Sequence, residues 1–220
     1  MKNYLSTFYD LKNKPLSNYQ DKFVEYNIKR FNLKNKKLLE IGCGRGDFIN
    51  KFSQKNVDCY ATDILQDAEN LLEKKVKFQQ NDIGKEKLPF NDNFFDAIYT
   101  KSLVEHINNH SFFFYECKRV LKKGGQLIIY TPDWETQYLH FYDDITHIKP
   151  FTKVTLEKCF KLYGFDNCKI EKFYQLPSVW KFPFLKIFSK FIAFFVPIRC
   201  GIKYLRFSKE LMLLGVSIKE

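Results

Sequence analysis

Leu38-Leu39-Glu40-Ile41-Gly42-Cys43-Gly44-Arg45-Gly46-Asp47-Phe48 is the stretch on which the fold of this chain turns. It reads as a short apolar strand running into a glycine-rich turn and then a helix. Glycines at three alternate positions let the backbone turn sharply and approach a ligand where any Cβ would collide. Glu40 closes the strand, placed to accept hydrogen bonds from that ligand, and a carboxylate ending an apolar strand has little other use there. The spacing is G-x-G-x-G and not the G-x-G-x-x-G that seats a dinucleotide pyrophosphate on a helix N-terminus. A carboxylate in place of a phosphate cradle points to a cationic or zwitterionic cofactor. Cys43 within the turn reads as a small side chain that fits.

Working outward, a helix over about Arg45 to Lys55 leads to a second strand, Val57 to Asp63. An acidic residue closing the second strand, about 20 residues past the glycine turn, is where a doubly wound nucleotide fold binds ribose hydroxyls. Asp63 has that position, and Ile64 offers an apolar face to a base. Taken singly, such an acid is also a solvated turn residue or a helix N-cap. The third strand is Val76 to Gln80, followed by Asn81-Asp82-Ile83. The fourth is Phe94 to Thr100 and the fifth Gln126 to Thr131. Asp96, inside the fourth strand, reads as a partner for a loop amide. A helix from Phe112 to Lys123 ends in Lys122-Lys123-Gly124-Gly125, where basic residues suit the dipole and glycines allow a C-cap.

E-x-G-x-G-x-G and the four motifs that follow it resemble the class I S-adenosylmethionine-dependent methyltransferases, over about Lys36 to Phe173. The resemblance implies an α/β fold, a Rossmann-like doubly wound seven-stranded sheet whose last strand is antiparallel. It implies S-adenosyl-L-methionine as cofactor and S-adenosyl-L-homocysteine as its product. The cofactor residues it implies are Glu40, Gly42, Cys43, Gly44, Gly46, Asp63, Ile64, Asn81, Asp82 and Ile83, with Asp82 facing the adenine amino group. Lys101, ending the fourth strand, is placed with them. Whether it positions an anionic acceptor or points to solvent stays open.

Composition narrows the class. The 220 residues suit one α/β domain with an appendage, and 45% apolar residues suffice for its core. Six cysteines at irregular positions, with no C-x-x-C pair, argue against a zinc module or disulfide framework and for free thiols in a reducing cytoplasm. The first residues lack the apolar core of a signal peptide. Residues 1–35 read as a helical segment that either covers the cofactor pocket or packs without touching ligand, with Tyr19, Phe23, Tyr26 and Phe31 at helical spacing. The net charge of +11 suits nucleic acid, anionic lipid or phosphorylated metabolites equally. The fourth strand decides against nucleic acid. It ends in Thr100-Lys101-Ser102-Leu103-Val104-Glu105-His106 instead of the Pro-Pro-aromatic motif of nucleic-acid amino-methyltransferases, and no Pro-Cys nucleophile follows.

Val104-Glu105-His106-Ile107 resembles the small-molecule branch of the family, which contains quinone-pathway and surface-glycan methyltransferases. Some quinone-pathway members carry a further Glu three residues before the Glu-His pair and are associated with a divalent metal. Ser102 stands there, so no metal is expected. A hydroxyl acceptor benefits from a general base, and histidine is best matched at neutral pH. His106 and His147 are the catalytic candidates. The alternatives are a pocket wall for His106 and a structural hydrogen bond for His147. Glu105, Asp143 and Asp144 are candidates for binding the acceptor. Asp143 and Asp144 could instead orient His147 or be solvated. Thr152 reads as N-cap of a helix from Lys153 to Tyr163, ended by Gly164.

Strand six spans Cys168 to Phe173, and residues 209–220 hold the closing antiparallel strand. Between them residues 176–208 form an insert rich in Phe, Lys and Pro, with an apolar helix over 184–196. It is too short and too charged for a bilayer span of ~20 apolar residues. It could cap the acceptor pocket, form a homodimer surface, or make peripheral membrane contact through 177–207. The resulting expectation is O-methylation of a small polar acceptor, a sugar or sugar nucleotide whose phosphates would meet the lysines. The alternative is a hydrophobic acceptor, a quinone precursor or lipid, at the membrane surface. A non-enzymatic cofactor-binding scaffold is the third reading.

Overall fold

Ser17 accepts a hydrogen bond from the Tyr19 N–H while Gln20 reaches back to the Ser17 N–H, a capping box that starts α1 (Asn18–Phe31). These residues open the part of the chain described by a computed structural model, residues 15–220. The expected helical segment over residues 1–14 lies outside it. Strand β1 (Lys37–Ile41) follows, then α2 (Ile49–Ser53), β2 (Asp58–Asp63) and β3 (Lys77–Gln80). After β4 (Phe95–Lys101) come α3 (His110–Val120), β5 (Leu121–Pro132) and the short α4 (Trp134–Gln137). The chain continues through α5 (Lys153–Leu162) and β6 (Cys168–Phe173). Three helices, α6 (Pro177–Lys181), α7 (Leu185–Phe195) and α8 (Lys203–Lys209), precede β7 (Met212–Ile218).

The seven strands form one sheet in the order β3-β2-β1-β4-β5-β7-β6. The first five run parallel, and β7 is antiparallel to both β5 and β6. Strand order reverses between β1 and β4, which opens a crevice at their carboxyl ends. Alternation along the strands splits the core between two faces. Leu38, Ala61, Tyr99, Ile128 and Tyr130 pack with α1 and α2, while Leu39, Ile98, Leu127 and Ile129 pack with α3 and α5. Thr152 and Thr155 form the capping box of α5, and Gly164 (φ +79°) follows its end.

Several boundaries moved. The first crossover helix shortens to α2, and a 3-10 turn, Gln66–Leu71, joins β2 toward β3. The third helix stops at Val120, because Leu121 already pairs with Phe95 across the sheet. Lys122 to Gly125 therefore form an irregularity at the start of β5 and not a helical C-cap. Gly124 (φ +77°) donates its N–H to the Lys219 carbonyl, and Lys122 pairs with Asp96 at 2.8 Å. Asp96 also accepts the Lys37 N–H at 2.8 Å.

The aromatic stripe of α1 packs inward. Phe23 lies against Tyr130, Phe173 and Phe48, with ring centroids 5.1, 5.9 and 5.0 Å away. The foot of the insert closes over it: Trp180 stacks on Tyr26 and Phe173 at 5.1 and 5.5 Å, and Phe207 meets Tyr19 at 5.6 Å. The described part of this segment, α1, thus packs on the core and beneath the foot of the insert.

Candidate active site

Beyond β1 the backbone passes through Gly42, Gly44 and Gly46 with φ of +74°, +53° and +75°. A Cβ on Gly42 would come 2.9 Å from the Leu103 side chain, and one on Gly46 would overlap Leu72 and Asn50. The Thr62 carbonyl accepts the Gly42 and Cys43 N–H groups at 2.8 and 3.1 Å. Asp63 completes the clasp, taking the Gly44 N–H at 2.8 Å and the Leu65 N–H at 3.0 Å. Its carboxylate thus shapes the turn, a role beyond the ribose contact the sequence suggested.

A cavity of about 310 Å³ opens here, at the carboxyl edge of the sheet. Gly42, Asp63, Ile64, Asn81, Asp82 and Ile83 line it, as does His106. Asn81 is buried with its amide oxygen unpartnered. Both Asp82 oxygens serve their own loop, one accepting the Gly84 N–H at 3.0 Å and the other pairing with Lys85 at 3.0 Å. Leu103 and Asn108 also line the cavity and were not anticipated. They follow the end of β4, and that position was their only signal.

Glu40, Cys43, Gly44, Gly46 and Lys101 stand behind the cavity wall and do not line it. Glu40 is 3% exposed, accepts the Ile49 N–H that begins α2, and keeps one oxygen without a partner. Burial first, then the Asp47 and Asp63 carboxylates, push its carboxyl well above the ordinary range, opposed by the Ile49 N–H and by Lys101. A ligand carrying an ammonium or sulfonium near this carboxyl would add to the positive charge that Lys101 lends it. The left-handed turn, the orphaned Glu40 and Asn81 oxygens and the adjoining crevice together fit S-adenosylmethionine. The Cys43 thiol is raised by burial, an inert filler.

The second half of the site gathers on the far side of His106. Ser102 adopts φ +55°, and a single 3-10 turn, Val104–His106, turns Glu105 inward. Glu105 is fully buried. One carboxylate oxygen accepts the Thr131 hydroxyl at 2.9 Å and the other has no partner. Its main-chain carbonyl accepts the Ile148 and Lys149 N–H groups at 2.9 and 3.0 Å, which ties down the segment carrying His147. Burial raises the Glu105 carboxyl to about 7, against its own backbone, Thr131 and Lys101, which favour ionisation. Lys101 thus lends its charge to both buried glutamates.

His106 Nδ1 lies 3.1 Å from the Thr146 carbonyl and 2.9 Å from the Thr146 hydroxyl. A carbonyl only accepts, so Nδ1 carries the proton and Nε2 the lone pair. The Thr146 hydroxyl in turn donates to Asp144 at 2.6 Å. Asp144 therefore orients His106, where the sequence had suggested His147. Burial lowers the His106 imidazole below its ordinary value, which favours the neutral ring. His147 Nδ1 donates to the Phe141 carbonyl, which leaves its own Nε2 lone pair available. The two rings stand 4.7 Å apart. Donor atoms of Glu105, His106 and His147 lie within 4.8 Å of one another, a set chemically able to hold a divalent cation. Ser102, on which the expectation of no metal rests, is not one of the three. Asp143 is exposed and bonded through both oxygens to Arg199 of the insert, so it serves as a tether.

Residues 16–170 match the family described as Methyltransferase domain. The chain is 30% identical over 214 residues to an uncharacterized protein of Methanocaldococcus jannaschii, covering 94% of this chain and 91% of that one. It is also 30% identical over 143 residues to the mitochondrial ubiquinone biosynthesis O-methyltransferase of Rattus norvegicus, 57% of this chain and 40% of that protein. In fold it is similar to a SAM dependent methyltransferase from Archaeoglobus fulgidus, with a TM-score of 0.67 at 19% identity over 97% of this chain and 100% of that one. A glycine turn with an orphaned carboxylate behind it, set in this sheet order and matched over most of its length, makes the chain a member of the class I methyltransferases that use S-adenosylmethionine.

Proposed function

We propose that the protein transfers a methyl group to a hydroxyl oxygen, with the imidazole of His147 as the general base. The bound cofactor supplies an activated sulfonium methyl group that needs alignment more than further activation. As the acceptor oxygen took the methyl group and the sulfur–methyl bond broke to leave S-adenosylhomocysteine, the hydroxyl proton would pass to His147 Nε2. The single observation carrying this reading is the pair of imidazoles whose Nδ1–H groups are held by carbonyls, leaving two Nε2 lone pairs, with His106 on the cavity wall and the His147 ring 4.7 Å from it. His106 forms the cavity wall, and Glu105 holds the His147 segment in place. Because a general base contributes about 10²–10⁴-fold, His147→Ala should lower kcat by that factor while S-adenosylhomocysteine binding stays intact. An unchanged kcat would remove His147 from the reaction. His106→Ala, by contrast, should weaken cofactor binding as well.

The acceptor approaches, in this proposal, through a second cavity of about 770 Å³ between the Glu135–His140 segment, the end of α7, and α8. Lys172, Arg199, Arg206 and Lys209 line it, and a phosphate-bearing acceptor such as a sugar nucleotide would compete for them with Asp133, Glu135, Asp143, Glu210 and the Val196 carbonyl. Its apolar wall, including Leu139, Val196, Ile198 and Leu211, favours a second reading, a quinone precursor or lipid. Calorimetric titration of the S-adenosylhomocysteine complex with both acceptor classes separates the two. All six cysteines are unpaired, which supports a reducing compartment.

A further inference from the structure

Helix α7 is built inside out for a helix in water. Its inward stripe is Leu185, Ser189 and Ala193, at i, i+4 and i+8, and only Ser189 on that stripe is fully buried. Outward it presents Ile187, Phe188, Phe191, Ile192, Phe194 and Phe195, with Phe194 84% exposed. An aqueous helix places these faces the other way round. With Phe184, the exposed rings make a contiguous apolar surface on the order of 600 Å², at or beyond the largest patch an ordinary monomer shows. The helix is nonetheless tied to the body. Leu185 at its start packs against the cluster of Tyr174, Val179 and Leu211, Lys209 donates to the Val196 carbonyl at 2.7 Å, and Arg199 holds Asp143. The apolar face is therefore held outward by an ordered frame.

Charge selects what covers it. Residues 176–208 contain Lys181, Lys186, Lys190, Arg199, Lys203 and Arg206 and no acidic residue at all. Arg199 and Arg206 pair with Asp143 and Glu210 of the body. The four lysines have no carboxylate within 4.0 Å among the described residues. A two-fold contact between copies would set this cationic rim against itself. An anionic surface meets both needs at once, taking aromatic rings below the headgroups and lysines among them. No described helix is long and apolar enough to cross a membrane, so the contact lies in the interface.

We propose that α7 and the lysines around it dock the protein onto a membrane surface bearing anionic lipid headgroups. The docking stands whichever acceptor is methylated. The larger cavity is lined by α7 residues Lys190, Ala193 and Phe194, so docking sets that cavity beside the lipid surface.

Co-sedimentation with phosphatidylcholine vesicles, with and without phosphatidylglycerol, tests the proposal. The protein should pellet with the anionic vesicles at least about tenfold better than with the neutral ones, and high salt should weaken it. A Phe188→Ser, Phe191→Ser, Phe195→Ser triple variant should lose about tenfold or more in partitioning, and Lys186→Glu should weaken it less. These side chains are exposed and outside both cavities, so S-adenosylhomocysteine binding and Tm should stay as in the parent. Wild-type protein remaining in the supernatant, or a triple variant that pellets equally, overturns the proposal. So does a dimer by sedimentation equilibrium that the triple variant abolishes while vesicles go unbound. Failure of methyl transfer to a hydroxyl would leave vesicle binding untouched, so the two readings fail separately.

Discussion

Helices α3 and α7 are both eleven residues long and both rich in phenylalanine, yet they spend their aromatic rings in opposite ways. His110-Ser111-Phe112-Phe113-Phe114-Tyr115-Glu116-Cys117-Lys118-Arg119-Val120 buries Phe113, Phe114, Cys117 and Val120. Leu185-Lys186-Ile187-Phe188-Ser189-Lys190-Phe191-Ile192-Ala193-Phe194-Phe195 buries only a serine. The ends of α3 explain its choice. It crosses between two adjacent parallel strands, so its face toward the sheet is set by the connection. Helix α7 hangs between two other insert helices and has no strand at either end. Periodicity reveals that a helix has two faces, and its connections decide which one looks inward.

Truncation is the most direct way to break this comparison. Phe114 is 1% exposed and packs against Phe160, Tyr163 and Phe165. Phe114→Ala should cost about 3–5 kcal/mol in urea unfolding. Trp180 tests whether the foot of the insert follows α3 or α7. Its rings contact Tyr26 and Phe173, and its indole N–H donates to the Tyr174 carbonyl at 2.7 Å. Trp180→Ala should lose about 3 kcal/mol, the low end for such truncations, and loosen α1 in hydrogen exchange. A loss near zero would make the whole insert a loosely attached appendage.

Glu105 carries the comparison to polar burial. Its carboxyl is raised to about 7 in the fold, so its favourable contribution is complete below the unfolded value near 4.5 and vanishes as pH rises through 7. Glu105→Gln has no such loss. Relative to wild type, the variant should gain up to about 3 kcal/mol between pH 5 and pH 8, measured with a chelator present. A difference independent of pH would mean that Glu105 stays ionised throughout. The smallest effect belongs to α7, where Phe188→Ala should change stability by no more than about 0.5 kcal/mol. A cost approaching that of Phe114→Ala would mean that the exposed face is covered in solution.

Much of this was legible before the structure. The glycine turn, the acids and apolar residues after β2 and β3, the exact span of β6 and the Thr152 cap depend on short-range stereochemistry, which a few residues encode. Lys122 to Gly125 misled because basic residues before glycines mark a helix end only when no strand competes, and Leu121 was already claimed by Phe95. The link from Asp144 through Thr146 to His106 joins positions 40 residues apart, and no local pattern announces it.

Sequence alone determined the strand–turn–helix order, the glycine turn after β1 and the family, because backbone conformation and two-residue alternation are local properties. Tertiary structure alone decided that Asp63 clasps the turn, that Asp82 serves its own loop, and that Glu105, His106 and His147 share one site. It alone turned the phenylalanines of α7 outward. Those outcomes depend on which distant groups compete for a hydrogen bond or a buried face, and that competition exists only once the sheet has brought them together.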